Sequence, residues 1–263
     1  MQAAFPASPL LGAMPPFLAS ADWVAWIMLG LFLGILLVAA SFWLLARRHL
    51  ALRRNGWDAA GTSRVSESTV ALPQCWLAIP GTNTQAIGHA LQLSNPKLCP
   101  WAEGVAASEE GRIFIAAPVQ GWTLVVGAAL PTPEEDADLL FHFLVQLSQS
   151  LGEVQYFRHQ PALSHHAWVH ARGGHIVRAY AWAGETLWNQ GNPTPAESRL
   201  RLRCHPYGSA LEELPFTELA ALAHNTERVP ALAARWGVDP AAHALRARRQ
   251  PGLLGEWLAA RSA

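Results

Sequence analysis

The sequence predicts an α+β fold: an N-terminal single transmembrane helix, then a domain with a mainly antiparallel sheet, one long packing helix and a helical C-terminal region. Three observations carry this. Strand-like stretches follow one another across tight-turn residues, at Gln120-Gly121 and at Arg172-Gly173-Gly174. Helical patterns gather after Pro215, so strands neighbour strands instead of alternating with helices. And Trp23–Ala46 runs without a single charge.

At about 1.5 Å per residue, a helix over 23–46 would span roughly 36 Å, against a hydrocarbon core of about 30 Å. Trp23, Trp26 and Trp43 sit near its ends, where aromatic rings favour the membrane interface. A cleavable leader would carry positive charge ahead of the apolar run, and residues 1–22 hold no Lys or Arg. Arg47, Arg48, Arg53 and Arg54 follow the run, which predicts a C-terminal domain in the cytoplasm and a translocated N-terminus. Arginine-, alanine- and tryptophan-rich usage goes with a GC-rich bacterial genome, so the expected location is a bacterial inner membrane. Gly30 and Gly34 form a small-residue pair through which two such helices, embedded in lipid, could form a homodimer. The expected organisation is therefore 1–22 outside, 23–46 in the membrane, 47–69 a basic linker, 70–214 an α+β domain and 215–263 helices packed on it.

Within the domain, Gln74–Ile79 reads as a buried strand ending at Pro80-Gly81, and Thr82 or Asn83 caps a short helix through Leu93. Arg112–Val119 and Trp122–Gly127 form the clearest hairpin. Thr132 or a neighbour caps the strongest helix. Pro133 suits its first turn, Glu134, Glu135 and Asp136 face its positive end, Leu140, Phe143, Leu144, Leu147 and Leu151 recur at helical spacing, and Gly152 ends it. Glu153–Arg158, His166–Ala171, His175–Trp182 and Glu185–Trp188 continue as a meander. Phe216–Ala223, Val229–Trp236 and a helix from Asp239-Pro240 follow.

Lys plus Arg and Asp plus Glu each number 19, and with the arginines near the apolar run set aside the domain is mildly acidic. That argues against a general nucleic-acid surface. Three cysteines, Cys75, Cys99 and Cys204, without CxxC spacing make no disulfide framework. Cys75 lies in an apolar strand, whereas Cys99, before Pro100-Trp101, reads as a loop thiol open to solvent.

His165, His166, His170 and His175 are the nearest thing to a metal-ligand cluster. No Asp or Glu lies between Glu153 and Glu185, and strand alternation sets His165 on the face opposite His166 and His170, so no metal is expected. The acids 134–138 are explained by their place at a helix start. No G-x-S-x-G, S-x-x-K or phosphate-cradling glycine loop occurs, and no cofactor is expected.

Ala231–Arg249 resembles a DNA-binding helix-turn-helix, with a turn at Gly237 and a second helix from Pro240. That resemblance covers residues 231–249 of 263 and implies His243, Arg246 and Arg248 near the major groove. Between Tyr180 and Gly191, by contrast, aromatics stand beside Asn and Gln as they do on protein-binding surfaces. Tyr180, Trp182, Glu185, Trp188 and Asn189 are the expected partner-binding residues, on a strand at a sheet edge. The function these features favour is a membrane-anchored protein-binding module, in particular an immunity protein neutralising a cognate bacterial toxin. A membrane-tethered DNA-binding regulator and an enzyme of another type are the alternatives.

Overall fold

Runs of Val, Ile, Leu and aromatic residues between turn residues build one nine-stranded antiparallel sheet. The computed structural model describes residues 26–35 and 72–257, which belong to two compact units, 1–67 and 68–263. In the second unit the order of elements is β1 (Cys75–Pro80), α1 (Thr84–Ala90), β2 (Leu93–Cys99), α2 (Trp101–Glu109), β3 (Ile113–Ile115), β4 (Trp122–Val126), α3 (Ala137–Leu151), β5 (Glu153–Gln160), β6 (His165–Arg172), β7 (His175–Trp182), β8 (Thr186–Gln190), α4 (Pro195–Arg199), α5 (Phe216–Trp236), α6 (Pro240–Ala247) and β9 (Gly252–Trp257). Strands lie side by side as β2-β9-β3-β4-β1-β5-β6-β7-β8.

Helices cover both faces, so the central strand β1 is buried on both sides and reads as a continuous apolar run. Leu77 and Ile79 join Leu140, Leu144 and Leu147 of α3 in one core; Trp76 and Ala78 join Val229, Leu232 and Ala233 of α5 in the other. Each edge is handled differently. β2 is blunted by a bulge between Ser94 and Lys97, where Asn95 takes φ 49° and Pro96 offers no N–H. β8 is short, and a later segment lies against it.

The expected hairpin turns at Gln120 and Gly121, both with positive φ, but β3 spans only three residues and also pairs with β9. The cap of α3 is Asp136, whose carboxylate accepts from the Leu139 N–H at 2.8 Å. Thr132 instead donates its hydroxyl to Glu135. Where the sequence reads two helices, α5 is continuous through Pro230. The ring removes one intrahelical donor, and the burial of Val229, Leu232 and Ala233 outweighs that loss. β2, α2 and β9 have no counterpart in the sequence reading.

The membrane expectation is corrected. Of the apolar run 23–46, the structure describes residues 26–35, which are helical. Among the described residues no helix is long and apolar enough to cross a membrane. The single-pass anchor and the inner-membrane location are thereby overturned. Gly30 and Gly34 lie in this helix with open space beside them. Residues 23–25 and 36–46, the linker 47–69 and its Arg47, Arg48, Arg53 and Arg54 lie outside the described residues.

Gly104 on α2 lets that helix settle onto the sheet: a Cβ there would stand 2.2 Å from Cδ2 of Phe114. We therefore expect Gly104→Ala to cost about 1–3 kcal/mol by overpacking. Urea denaturation checks this, and adding Phe114→Leu, which makes room, should recover part of the loss. Additive losses would show that the two side chains do not compete for the same space.

Candidate functional site

A charged residue in the apolar strand His175–Trp182 has to be accounted for, because Arg178 is wholly buried. It lies on the sheet face it shares with Tyr180 and Trp182, and its side chain is surrounded by acceptors. Its Nε donates to Glu197 Oε1 at 2.9 Å, and Nη2 lies 2.8 Å from the same oxygen. Nη1 donates to Asn189 Oδ1 and to the carbonyls of Ala179, Gln190 and Gly191, at 2.9–3.2 Å. Nη2 also meets Cys204 Sγ at 3.0 Å. Glu197, equally buried, accepts from Trp168 Nε1 at 2.9 Å. Its second oxygen accepts from the Thr194 N–H, closing a capping box at the start of α4. Both charges are paired and hydrogen-bonded, the condition under which a buried ion pair is tolerated.

This node ties β8, its exit turn, α4 and the chain near Cys204 to β7. From there the segment His205–Leu211 runs back along the outer edge of β8. The Asn189 amide donates to His205 O, Gly208 N–H to Thr186 O, Thr186 N–H to Ser209 O, and Leu211 N–H to Gly184 O. The expected edge position of this strand holds, but around Thr186 its backbone groups are already satisfied. On the covering segment Tyr207 stands 77% exposed and Leu211 40% exposed.

Of the five expected partner residues, Tyr180 and Trp182 are buried in the core, Tyr180 accepting from His205 N–H and Trp182 packing on the His205 ring. They are out of a partner's reach. Trp188 is half-buried, edge-on to Phe141 at 6.0 Å, with its Nε1 bonded to Gln190. Glu185 and Asn189 are exposed, and Asn189 is a structural link between Arg178 and His205. The structure thus sets Glu185 and Asn189 beside the segment that carries Tyr207 and Leu211, which the sequence reading passed over, and turns Trp188 to the opposite, α3 side of the sheet. Tyr207 sits in a stretch without periodicity and gave no signal. Thr194 and Glu197, at capping-box spacing, were readable.

The histidines are dispersed among structural duties. His166 is buried, its ring stacked on Trp168. Its Nδ1 lies 3.1 Å from Ser164 O and 2.8 Å from Thr226 Oγ1, whose own proton goes to Leu222 O, so Nδ1 carries the hydrogen. Its Nε2 then accepts from Asn225. Burial pushes its pKa down to about 3, with His165, His205 and His159 adding to the effect. His165 lies beside Glu134, which pairs chiefly with Arg158 at 3.1 Å. His170 meets Glu153 at 3.1 Å, and His175 is exposed. Among the described residues no group of three or more His, Cys, Asp or Glu could hold a metal ion.

Burial raises the thiols of Cys75 and Cys204 to about 12 and also raises Cys99, which is buried at the end of β2 and not in an open loop. None is a thiolate near neutral pH. His243, expected at a DNA groove, is buried with its Nε2 bonded to Trp122 O, whereas Arg246 and Arg248 are exposed.

Comparison with protein-family models, with curated proteins and with solved structures finds no match to this chain.

Two outcomes are expected. Arg178→Met leaves Glu197 buried without its cation and should cost about 3–5 kcal/mol in urea denaturation. Arg178→Met with Glu197→Leu should cost less than the single change, since no bare charge remains. The second outcome concerns acid. A histidine held neutral in the fold but protonated near 6.5 when unfolded lets the unfolded state bind more protons below that pH. Stability contributed by His166 is therefore full above about 6.5 and falls as pH drops toward 3. The loss at pH 5 is about 2 kcal/mol. In His166→Gln, the difference in unfolding free energy between pH 7 and pH 5 should shrink by about that amount.

Proposed function

We propose that the domain is a protein-recognition module whose contact surface is the rim formed by β8 and His205–Leu211. The observation that carries this is Tyr207, an aromatic side chain 77% exposed on a segment bonded along its length to the strand beside it. Tyrosine brings large contact area with little rotamer freedom to lose, and tyrosines recur among the residues that dominate interface energies. Its support is rigid. The Arg178 node fixes β8 from below, and Asn189 and Tyr180 hold His205, so little ordering is left for the moment of binding. Leu211 supplies apolar area, and Glu185 and Asn189 supply the polar surround.

Toxin immunity has no family or homologue behind it and is not carried further. The DNA reading loses His243 to the core. The proposal is binding of another protein, with no chemistry assigned to the rim.

The test is retention of a partner from a lysate of the producing cells on the immobilised full chain, compared across variants. We expect a stoichiometric partner whose affinity falls about tenfold or more, at least roughly 1.4 kcal/mol, in Tyr207→Ala and in Leu211→Asp. Leu163→Ala, a change at another exposed apolar residue, should leave it unchanged. A partner held equally by all three variants would move the contact surface away from this rim.

A further inference from the structure

Arg158 pairs with Glu134, Arg172 with Glu153, Arg178 with Glu197 and Arg203 with Glu218. The end of α6 instead gathers three arginines at one place. Arg246, Arg248 and Arg249 are exposed, and none pairs with a carboxylate of the described residues. A helix C-terminus favours cations in and just after its last turn, but it does not account for the cleft beside them.

That cleft, about 480 Å³, is lined by Pro118, Val119, Leu245, Arg246, Arg249 and Gln250. One wall is the approach to the β3–β4 turn and the other is the end of α6. Both walls are fastened to a single carbonyl: Trp122 O accepts from the Val119 N–H at 2.8 Å and from His243 Nε2 at 3.1 Å. Ala244 and Ala247 are buried beneath, so the helix cannot roll without opening the second core. Leu245, 46% exposed, lines the cleft together with Arg246 and Arg249.

A fixed cleft that offers two free guanidinium groups and an apolar wall complements carboxylates carried beside an apolar side chain. We propose that this cleft binds an acidic segment of a partner protein, with Asp or Glu carboxylates on Arg246 and Arg249 and an apolar side chain against Val119 and Leu245. Nucleic acid fits less well. The cations are confined to one helix end, the domain as a whole is not basic, and the histidine beside them is buried. β4 and β8 are separated in the sheet by β1, β5, β6 and β7, roughly 24 Å at 4.8 Å per strand. The cleft is thus distinct from the Tyr207 rim, and neither depends on the other.

Fluorescence polarisation tests this with the full chain and a fluorescein-labelled peptide of repeated Glu-Glu-Leu. Saturable binding is expected, weakened about tenfold or more in the double variant Arg246→Ala, Arg249→Ala. Leu245→Asp should weaken it likewise, and Arg246→Lys with Arg249→Lys should fall between wild type and the alanine pair. Arg235→Ala, at another exposed and unpaired arginine, should bind as wild type does. A Lys-Lys-Leu peptide should not bind. All the replaced residues are exposed, and circular dichroism confirms that each variant is folded. Absence of saturable binding, or equal affinity in wild type and the alanine pair, would overturn the proposal. So would tighter binding of a duplex DNA lost in the same pair, which would make nucleic acid the ligand. None of these results bears on Tyr207→Ala, so the two surfaces stand or fall separately.

Discussion

A guanidinium cut off from water must find an acceptor for every N–H, and in this fold that demand on Arg178 arranges everything around the β8 edge. Its acceptors come from β7 itself, from Asn189 on β8, from the carbonyls of the turn that follows, and from Glu197 on α4. A buried pair of this kind adds little net stability over an apolar replacement. What it contributes is uniqueness. Carbonyls and a carboxylate that converge on one point do so only if the cation is there, and moving any of them leaves a buried polar group unmet. Glu197 is held in turn by the capping box at Thr194, so the start of α4 and the geometry of the edge strand are set together.

The same logic runs through α5. Thr226 and Asn225 reach His166 across the interface between helix and sheet, and Asn225 also receives the Arg203 N–H and donates to the Arg203 carbonyl. A long helix laid on a sheet by apolar contacts alone could slide along the strands. Directional bonds from its buried face to β6 fix its position, and they fix the chain leading from α4 toward His205 as well. Rigidity at the Tyr207 rim is therefore inherited from two polar networks beneath it, not from the rim's own residues.

The parts of the fold that were legible in the sequence are those that local rules dictate. Gln120-Gly121 and Gly173-Gly174 marked their turns, and Leu140, Leu144 and Leu147 marked the buried face of α3. Alternation set His165 on the face opposite His166 and His170, but which face a later helix would cover is a long-range fact. Tyr180 and Trp182 therefore read as surface while α5 and its neighbours bury them. The gap read between Ala223 and Val229 is closed by packing against β5 and β6, which are distant in sequence. β9 escaped notice behind its glycines. Gly252 is needed there because a Cβ would meet Phe114 at 2.4 Å and the Ile115 carbonyl at 2.5 Å. The absence of charge over 23–46 is a fact of composition, and among the described residues no helix is long and apolar enough to cross a membrane.

β9 enters the sheet between β2 and β3, after every other described element has been made. Until it arrives, β2 has no strand to pair with and β3 has one bare side. A chain emerging from the ribosome can assemble β1, β4 and the β5–β8 meander early, but the flank carrying β2 waits for synthesis to pass Trp257. The closing contact spans most of the domain's sequence, the kind of pairing that slows folding because a long loop must be ordered first. Until Trp257 has emerged, a nascent chain carries an unfinished flank, the state in which a chaperone would find it.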